Sequence, residues 1–203
     1  SVTYGAGGST RGKTLDLVSR IQNELKIRSM AHLTCVGHTA DEIGGILDDL
    51  WKAGIVNVLA LRGDPQQGQS TFVATEGGFA NADELVAFAR RRHDFCIGVA
   101  GYPEGHPQCL NKTRDLEYLK RKVDNGGCFV VTQLFFDNDD YFRYVEDCRA
   151  IGITVSSRTS GASSRGPFSR CCSGSVTATI NRTNPAPLLA ANKASRNRKP
   201  NSA

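Results

Sequence analysis

Residues 39–61 run Thr-Ala-Asp-Glu-Ile-Gly-Gly-Ile-Leu-Asp-Asp-Leu-Trp-Lys-Ala-Gly-Ile-Val-Asn-Val-Leu-Ala-Leu and hold one full unit of the pattern that sets the fold. Thr39 and Glu42 have the spacing of a capping box, in which a hydroxyl and a carboxylate satisfy the first free N–H groups of a helix. Ile43, Ile46, Leu47, Leu50 and Trp51 then recur at helical spacing, and Gly54 ends the run. An apolar strand candidate, 56–61, follows at once. Gly-Ile-Thr-Val at 152–155 repeats the device of Gly-Ile-Val-Asn-Val at 54–58: a glycine stop, then a strand.

The same grammar extends over residues 1–155. Strands are expected at 2–4, 32–36, 56–61, 95–100, 128–136 and 153–155, and further helices at 83–92, 112–125 and 139–151. Gly126 and Gly152 stand as helix stops. Such continuous apolar runs suit strands of a parallel sheet covered on both faces. Six strands alternating with five helical connections make an α/β fold, either a closed barrel or an open doubly wound sheet. Polar residues gather at the strand ends: Thr3-Tyr4-Gly5, Thr34-Cys35, Arg62-Gly63-Asp64, Tyr102-Pro103-Glu104 and Gln133. In a barrel those ends converge on one face.

Residues 156–203 differ. They hold ten serines against five in the preceding 155 residues, eight Lys/Arg, no Asp or Glu, and no sustained apolar face. A disordered basic tail and an out-of-frame translation both fit that composition. Because the tail carries eight of the 25 basic residues, residues 1–155 hold 25 − 8 = 17 basic and all 20 acidic ones, a net of −3. A mildly acidic body offers no general attraction for polyphosphate, so no nucleic-acid partner is expected.

The length of 203 residues suits one domain, and no apolar stretch reaches the span of a membrane helix. Ser1 is not an initiator methionine. The seven cysteines include no CxxC pair, and those before residue 156 are scattered singly. Buried free thiols in a reducing, cytoplasmic setting account for them. None of the four histidines has metal-ligand spacing with another donor, so no metal site is expected. A Gly-rich GxGxxG or P-loop is missing, as is any Ser–His–Asp arrangement.

Three segments carry candidate chemistry. Arg62-Gly63-Asp64 at a strand end sets a cation, a closely approachable backbone and a carboxylate around one spot, which suits a flavin; alone it also reads as a turn with a surface ion pair. Gly101-Tyr102-Pro103-Glu104-Gly105-His106-Pro107 is a loop stiffened by two prolines that displays Tyr102 and His106. Its rings suit a flat heterocycle, or simply pack on one another. Asp115, Tyr118, Arg121 and Lys122 fall on one helical face, fit either for ribose and pyrophosphate or for ordinary surface ion pairs. Gln133, inside an apolar run, needs partners if buried, and His32 opens its strand as a core histidine or a ligand contact.

Six blocks resemble the methylenetetrahydrofolate reductase family in family order: Ser-Val-Thr-Tyr-Gly-Ala (1–6), Ala-His-Leu-Thr-Cys (31–35), Ala-Leu-Arg-Gly-Asp (60–64), Tyr-Pro-Glu-Gly-His-Pro (102–107), Leu-Lys-Arg-Lys-Val-Asp-Asn-Gly (119–126) and Thr-Gln-Leu-Phe-Phe-Asp (132–137). The resemblance implies a partial (β/α)8 TIM barrel, roughly strands 2 to 7, over residues 1–155, followed by a non-family tail over 156–203. It implies FAD contacted by Tyr4, Ala6, His32, Arg62, Gly63, Asp64, Ala82, Tyr102, His106, Asp115, Arg121 and Lys122. Thr3, Tyr102 and Gln133 would help hold the nicotinamide of NAD(P)H, and Asp64 with Gln133 the folate. Cys109 and Tyr118 stand where the family carries Ala and Asn.

The implied reaction is two hydride transfers through one site: NAD(P)H reduces the flavin, then 5,10-methylenetetrahydrofolate opens to an iminium cation and takes hydride to give 5-methyltetrahydrofolate, feeding methionine synthesis. By the same resemblance Asp64 would be the catalytic carboxylate, favouring the developing cation over the neutral ground state. The family's general-acid glutamate would precede Ser1, so the 203 residues alone are expected to be inactive and unstable. The full-length protein is expected to be a cytoplasmic homo-oligomer. Competing expectations are another flavin barrel of proline dehydrogenase type, a non-catalytic flavin- or folate-binding remnant, and nucleic-acid binding by the basic tail. The last is weakened by the lack of aromatic stacking residues there beyond Phe168.

Overall fold

The computed structural model of the chain describes residues 1–3, 11–65, 68, 71–153 and 175–177. Helices and strands alternate: α1 (Arg11–Asn23), β1 (Ala31–Thr34), α2 (Ala40–Lys52), β2 (Asn57–Leu61), α3 (Ala82–Arg92), β3 (Cys96–Gly101), α4 (Lys112–Asp124), β4 (Gly127–Thr132), α5 (Asn138–Ala150) and β5 (Ser175–Thr177). No helix among the described residues is long and apolar enough to cross a membrane.

Local chemistry explains the boundaries. Thr39 Oγ1 accepts from the Glu42 N–H (3.3 Å) and the Glu42 carboxylate accepts from the Thr39 N–H (3.0 Å), so α2 starts with the expected capping box. Asn111 caps α4 and Asp137 caps α5 through side-chain oxygens. Gly54 and Gly152 follow their helices at φ +77° and +82°, the left-handed conformation that only glycine adopts cheaply. Trp51 departs from the buried stripe of α2: it is 37% exposed and stacks on His93, ring centroids 5.0 Å apart.

The five strands are all parallel and lie in chain order, β1-β2-β3-β4-β5. A doubly wound sheet reverses its strand order at a switch point; no reversal occurs among the described strands. Right-handed crossovers between successive neighbours place their helices on one side of the sheet. On that side Ala31, Leu33, Val58, Ala60, Ile97, Val99 and Val130 form one buried cluster with Ile43, Leu47 and Leu50 of α2, Leu85 and Val86 of α3, Leu119 of α4 and Cys148 of α5. The opposite face carries a cross-strand row, His32, Leu59, Gly98 and Phe129, and the Leu59 and Phe129 side chains close over Gly98.

Several expected strand limits move. Only Val2 of the expected strand 2–4 pairs, as a single parallel bridge to Ala31, and Tyr4 lies outside the described residues. The run 128–136 pairs only as far as Thr132, because Asp137 already caps the next helix and the chain must turn between them. Ile153 is buried in the core without strand pairing, while 154 and 155 lie outside the described residues. The place beside β4 is taken by β5, which pairs with Phe129–Val131. The rest of the expected tail, 156–203, also falls outside the described residues. Cys35, Cys96, Cys128 and Cys148 are buried, and Cys109 is half-buried.

Candidate functional site

The C-terminal ends of β2, β3 and β4 bring Arg62-Gly63-Asp64, Tyr102 and Gln133 to one rim. Backbone bonds hold these ends together: the Cys35 N–H reaches Leu61 O (3.2 Å) and Arg62 O (3.1 Å), and the Gln133 N–H reaches Gly101 O (2.7 Å). Gly63 sits at φ +90°, and a Cβ there would lie 2.6 Å from Val36 Cγ2, so the strand end needs glycine both for its conformation and for its space. Arg62 extends over the Phe72 ring, 5.0 Å from its centroid, and donates to Gln108 Oε1 at 2.6 Å. Arg62, Phe72, Gln108 and Asn81 line a cavity of about 480 Å³.

The loop after β3 closes on itself. Tyr102 and His106 meet edge to face, centroids 4.5 Å apart. His106 Nδ1 accepts from the Gln108 N–H (3.0 Å), which leaves Nε2 as the donor of the neutral ring. The His106 backbone N–H in turn serves the Asp115 carboxylate. Lys122 folds inward from α4 and donates to Ala100 O at 2.7 Å.

These groups perturb one another. Burial pushes the Lys122 ammonium down to about 8, against the opposing pull of Asp115 and Asp83. Burial raises the Asp115 carboxyl, opposed by Lys122 and His106. Burial also lowers His106 and raises Tyr102, which additionally feels the charges of Asp115 and Asp64. Arg62, Asp64, Tyr102, His106, Asp115 and Lys122 therefore form one electrostatic cluster. Perturbed groups gathered at a strand-end rim are the physical mark of a binding or reacting centre.

The remaining expected site residues lie outside this electrostatic cluster. His32 lies lower on the uncovered sheet face; its Nε2 is buried without a hydrogen-bond partner, and burial lowers its pKa. Gln133 is exposed rather than buried, because pairing stops one residue before it. Arg121 turns outward, its guanidinium 4.6 Å over the Tyr118 ring, so the expected single face of α4 divides between Lys122 inside and Arg121 outside. Ala82 is the first residue of α3, and Thr3 is exposed, its carbonyl accepting from Thr14 Oγ1. Tyr4 and Ala6 fall outside the described residues. The sequence reading missed Phe72 and Gln108, two loop groups that hold Arg62 beside the Gly63 carbonyl. No periodicity marks either, since both sit in loops that meet only in space. Among the described residues no cluster of three His, Cys, Asp or Glu side chains could hold a metal ion.

The family model described as methylenetetrahydrofolate reductase matches residues 1–157. Methylenetetrahydrofolate reductase (NADH) 1 of Zea mays is 48% identical over 164 residues, covering 75% of this chain and 28% of the relative. Methylenetetrahydrofolate reductase 2 of Saccharomyces cerevisiae is 40% identical over 159 residues, 76% of this chain and 26% of the relative. The 5,10-methylenetetrahydrofolate reductase of Escherichia coli is 39% identical over 157 residues, 76% of this chain and 50% of its own length. The chain thus spans half or less of the length of these curated relatives. Among solved structures, a 2,3-dimethylmalate lyase of the PEP mutase/isocitrate lyase superfamily superposes with a TM-score of 0.52 at 11% identity over 71% of this chain and 54% of that one. An oxaloacetate acetylhydrolase gives 0.50 at 13% identity over 71% and 55%. At such identities the likeness is one of fold alone. Matched by the family model along most of its length and by relatives from plant, yeast and bacterium, the chain belongs to the methylenetetrahydrofolate reductase family.

Proposed function

We propose that this chain forms the flavin-binding part of an enzyme that reduces 5,10-methylenetetrahydrofolate to 5-methyltetrahydrofolate with electrons from NAD(P)H, through FAD, in one-carbon metabolism and methionine synthesis. Its strands are an arc of a (β/α)8 barrel, since parallel strands in unbroken chain order with helices on one side leave the other side to be covered by closure. The single observation that carries the reading is the convergence of Arg62, Asp64, Tyr102, His106, Asp115 and Lys122 on one rim.

The residues fit a flavin nucleotide. Lys122, an ammonium held in a poorly solvated place, gains most from an anionic partner, and with Arg62 it serves the pyrophosphate, whereas Arg121, expected there from the family, is turned outward over Tyr118. Asp115 takes ribose hydroxyls, and Tyr102 and His106 offer ring faces and a donor. His32 Nε2, buried and unpaired, awaits a polar partner at the sheet face. Gly63 lets the ring approach the backbone closely, and Ala82, Tyr4 and Ala6 complete the set expected from the family. When bound, the flavin supplies the hydride relay; the chain binds and orients it. Asp64 holds a negative charge where the opening folate becomes cationic, and Gln133 and Thr3 position the substrates. NAD(P)H and the folate are the partners, with neither nucleic acid nor membrane, in a cytoplasmic homo-oligomer.

The test is to add FAD to the purified chain, follow quenching of flavin fluorescence, then offer NAD(P)H or proline anaerobically. Micromolar binding and bleaching by NAD(P)H are expected of the chain, with turnover of methylenetetrahydrofolate expected only of the full-length protein. A chain that stays colourless at saturating FAD, or whose flavin is bleached by proline instead, overturns the proposal.

A further inference from the structure

Tyr144, on α5, belongs to the core cluster and is only 5% exposed, yet its hydroxyl makes no hydrogen bond of ordinary geometry. The oxygen lies against Gly101, beside the Tyr102 backbone and the Cys148 thiol. A Cβ on Gly101 would fall onto that oxygen and come within 2.7 Å of Val130 Cγ1. The hydroxyl therefore fills the volume that a methyl group on residue 101 would take. Burying a poorly bonded hydroxyl is unfavourable, so its contribution here is occupancy of that volume.

Gly101 is a junction. It is the last residue of β3, its carbonyl accepts from the Gln133 N–H at 2.7 Å, and Tyr102 follows it directly. Whatever bears on Gly101 moves Tyr102 and Gln133 together. A packed interior transmits such a displacement, since Tyr144 and Val130 are both buried in the core.

We infer that Tyr144 is a positioning residue: seated on the bare Cα of Gly101, it sets where Tyr102 and Gln133 leave the sheet. Its consequence for ligand binding rests on the flavin reading of those two residues. A methyl at 101 requires the oxygen at 144, its closest neighbour, to go, after which Val130 Cγ1 at 2.7 Å and the Tyr144 ring Cζ at 3.0 Å must still give by a few tenths of an ångström.

Four proteins test this: the 203-residue chain, Gly101→Ala, Tyr144→Phe, and the double variant. Amide exchange at Gln133 and over 102–107 is measured without flavin, and FAD affinity by fluorescence. Gly101→Ala is expected to speed exchange at Gln133 and weaken FAD about tenfold, the size of a typical overpacking strain. Tyr144→Phe alone leaves a gap too small for water and changes either readout by about twofold at most. The double variant returns to within about threefold of the parent, as coupled neighbours do. A double variant no better than Gly101→Ala, or a Gly101→Ala chain indistinguishable from the parent, overturns the inference. Should Gly101→Ala fail to fold, recovery of folding by the second change makes the same decision. Failure of the parent to take up FAD strikes the functional reading alone, because exchange at Gln133 still reports the positioning.

Discussion

On the helix-covered face of the sheet Leu33, Val58, Ile97 and Val99 are wholly buried, whereas on the opposite face His32, Phe129 and Val131 keep part of their surface open. The first face is apolar apart from the buried Thr132 and is joined to five helices. The second carries a histidine with an unpaired nitrogen and leads upward to a rim of charged groups with displaced pKa values. One sheet thus keeps its stability on one side and its reactive polar groups on the other and at the strand ends. Where the two jobs are physically apart, substitutions should separate them.

The largest effect is expected on the covered face. Leu33→Ala should cost about 2–5 kcal/mol in urea unfolding, the range for a large-to-small change in a packed core. If FAD affinity per folded molecule also collapsed, the division between faces would be wrong.

Lys122→Met inverts the pattern. FAD binding should weaken about thirtyfold, through loss of a charge-assisted contact, while stability holds or rises because a poorly solvated ammonium is gone. A pH series sharpens this. The folded Lys122 sits at about 8 against an ordinary 10.5, so between those values the unfolded chain binds the extra proton. Stability must then rise with pH through that window, relative to Lys122→Met, while FAD affinity falls. Parallel movement of the two curves would contradict the placement of the ammonium.

Thr39→Ala removes the hydroxyl of the α2 capping box and should cost about 1 kcal/mol in thermal or urea unfolding, with FAD affinity unchanged. The smallest effect is reserved for the rim. Gln108→Ala frees the Arg62 guanidinium from one neutral acceptor and should weaken FAD by about threefold without moving the melting temperature. A drop in melting temperature would mark Gln108 as part of the stabilising framework instead.

The helices were legible because their signals are local. Thr39 with Glu42, and Gly54, Gly126 and Gly152, act within a turn of their own position, and each proves to start or stop a helix. Strand ends were less so: the apolar run to Phe136 reads as one strand, but pairing stops at Thr132, and Gln133 and Phe136 emerge exposed. Hydrophobicity marks what prefers to leave water, whereas pairing depends on a neighbour strand that the run itself does not contain.

The site divides along the same line. Arg62-Gly63-Asp64, Tyr102, His106 and Lys122 stand out in the sequence through residue type and family resemblance. Their mutual electrostatics, the turning of Lys122 inward and Arg121 outward, the support of Arg62 by Phe72 and Gln108, and the seat of Tyr144 on Gly101 do not. The chain by itself determined the alternation of helix and strand, the helix stops and the family, because these reside in short stretches of neighbouring residues. Only the tertiary structure decided strand order, which face lies open, and which side chains share a charge or a volume, because each depends on atoms brought together from distant positions by packing.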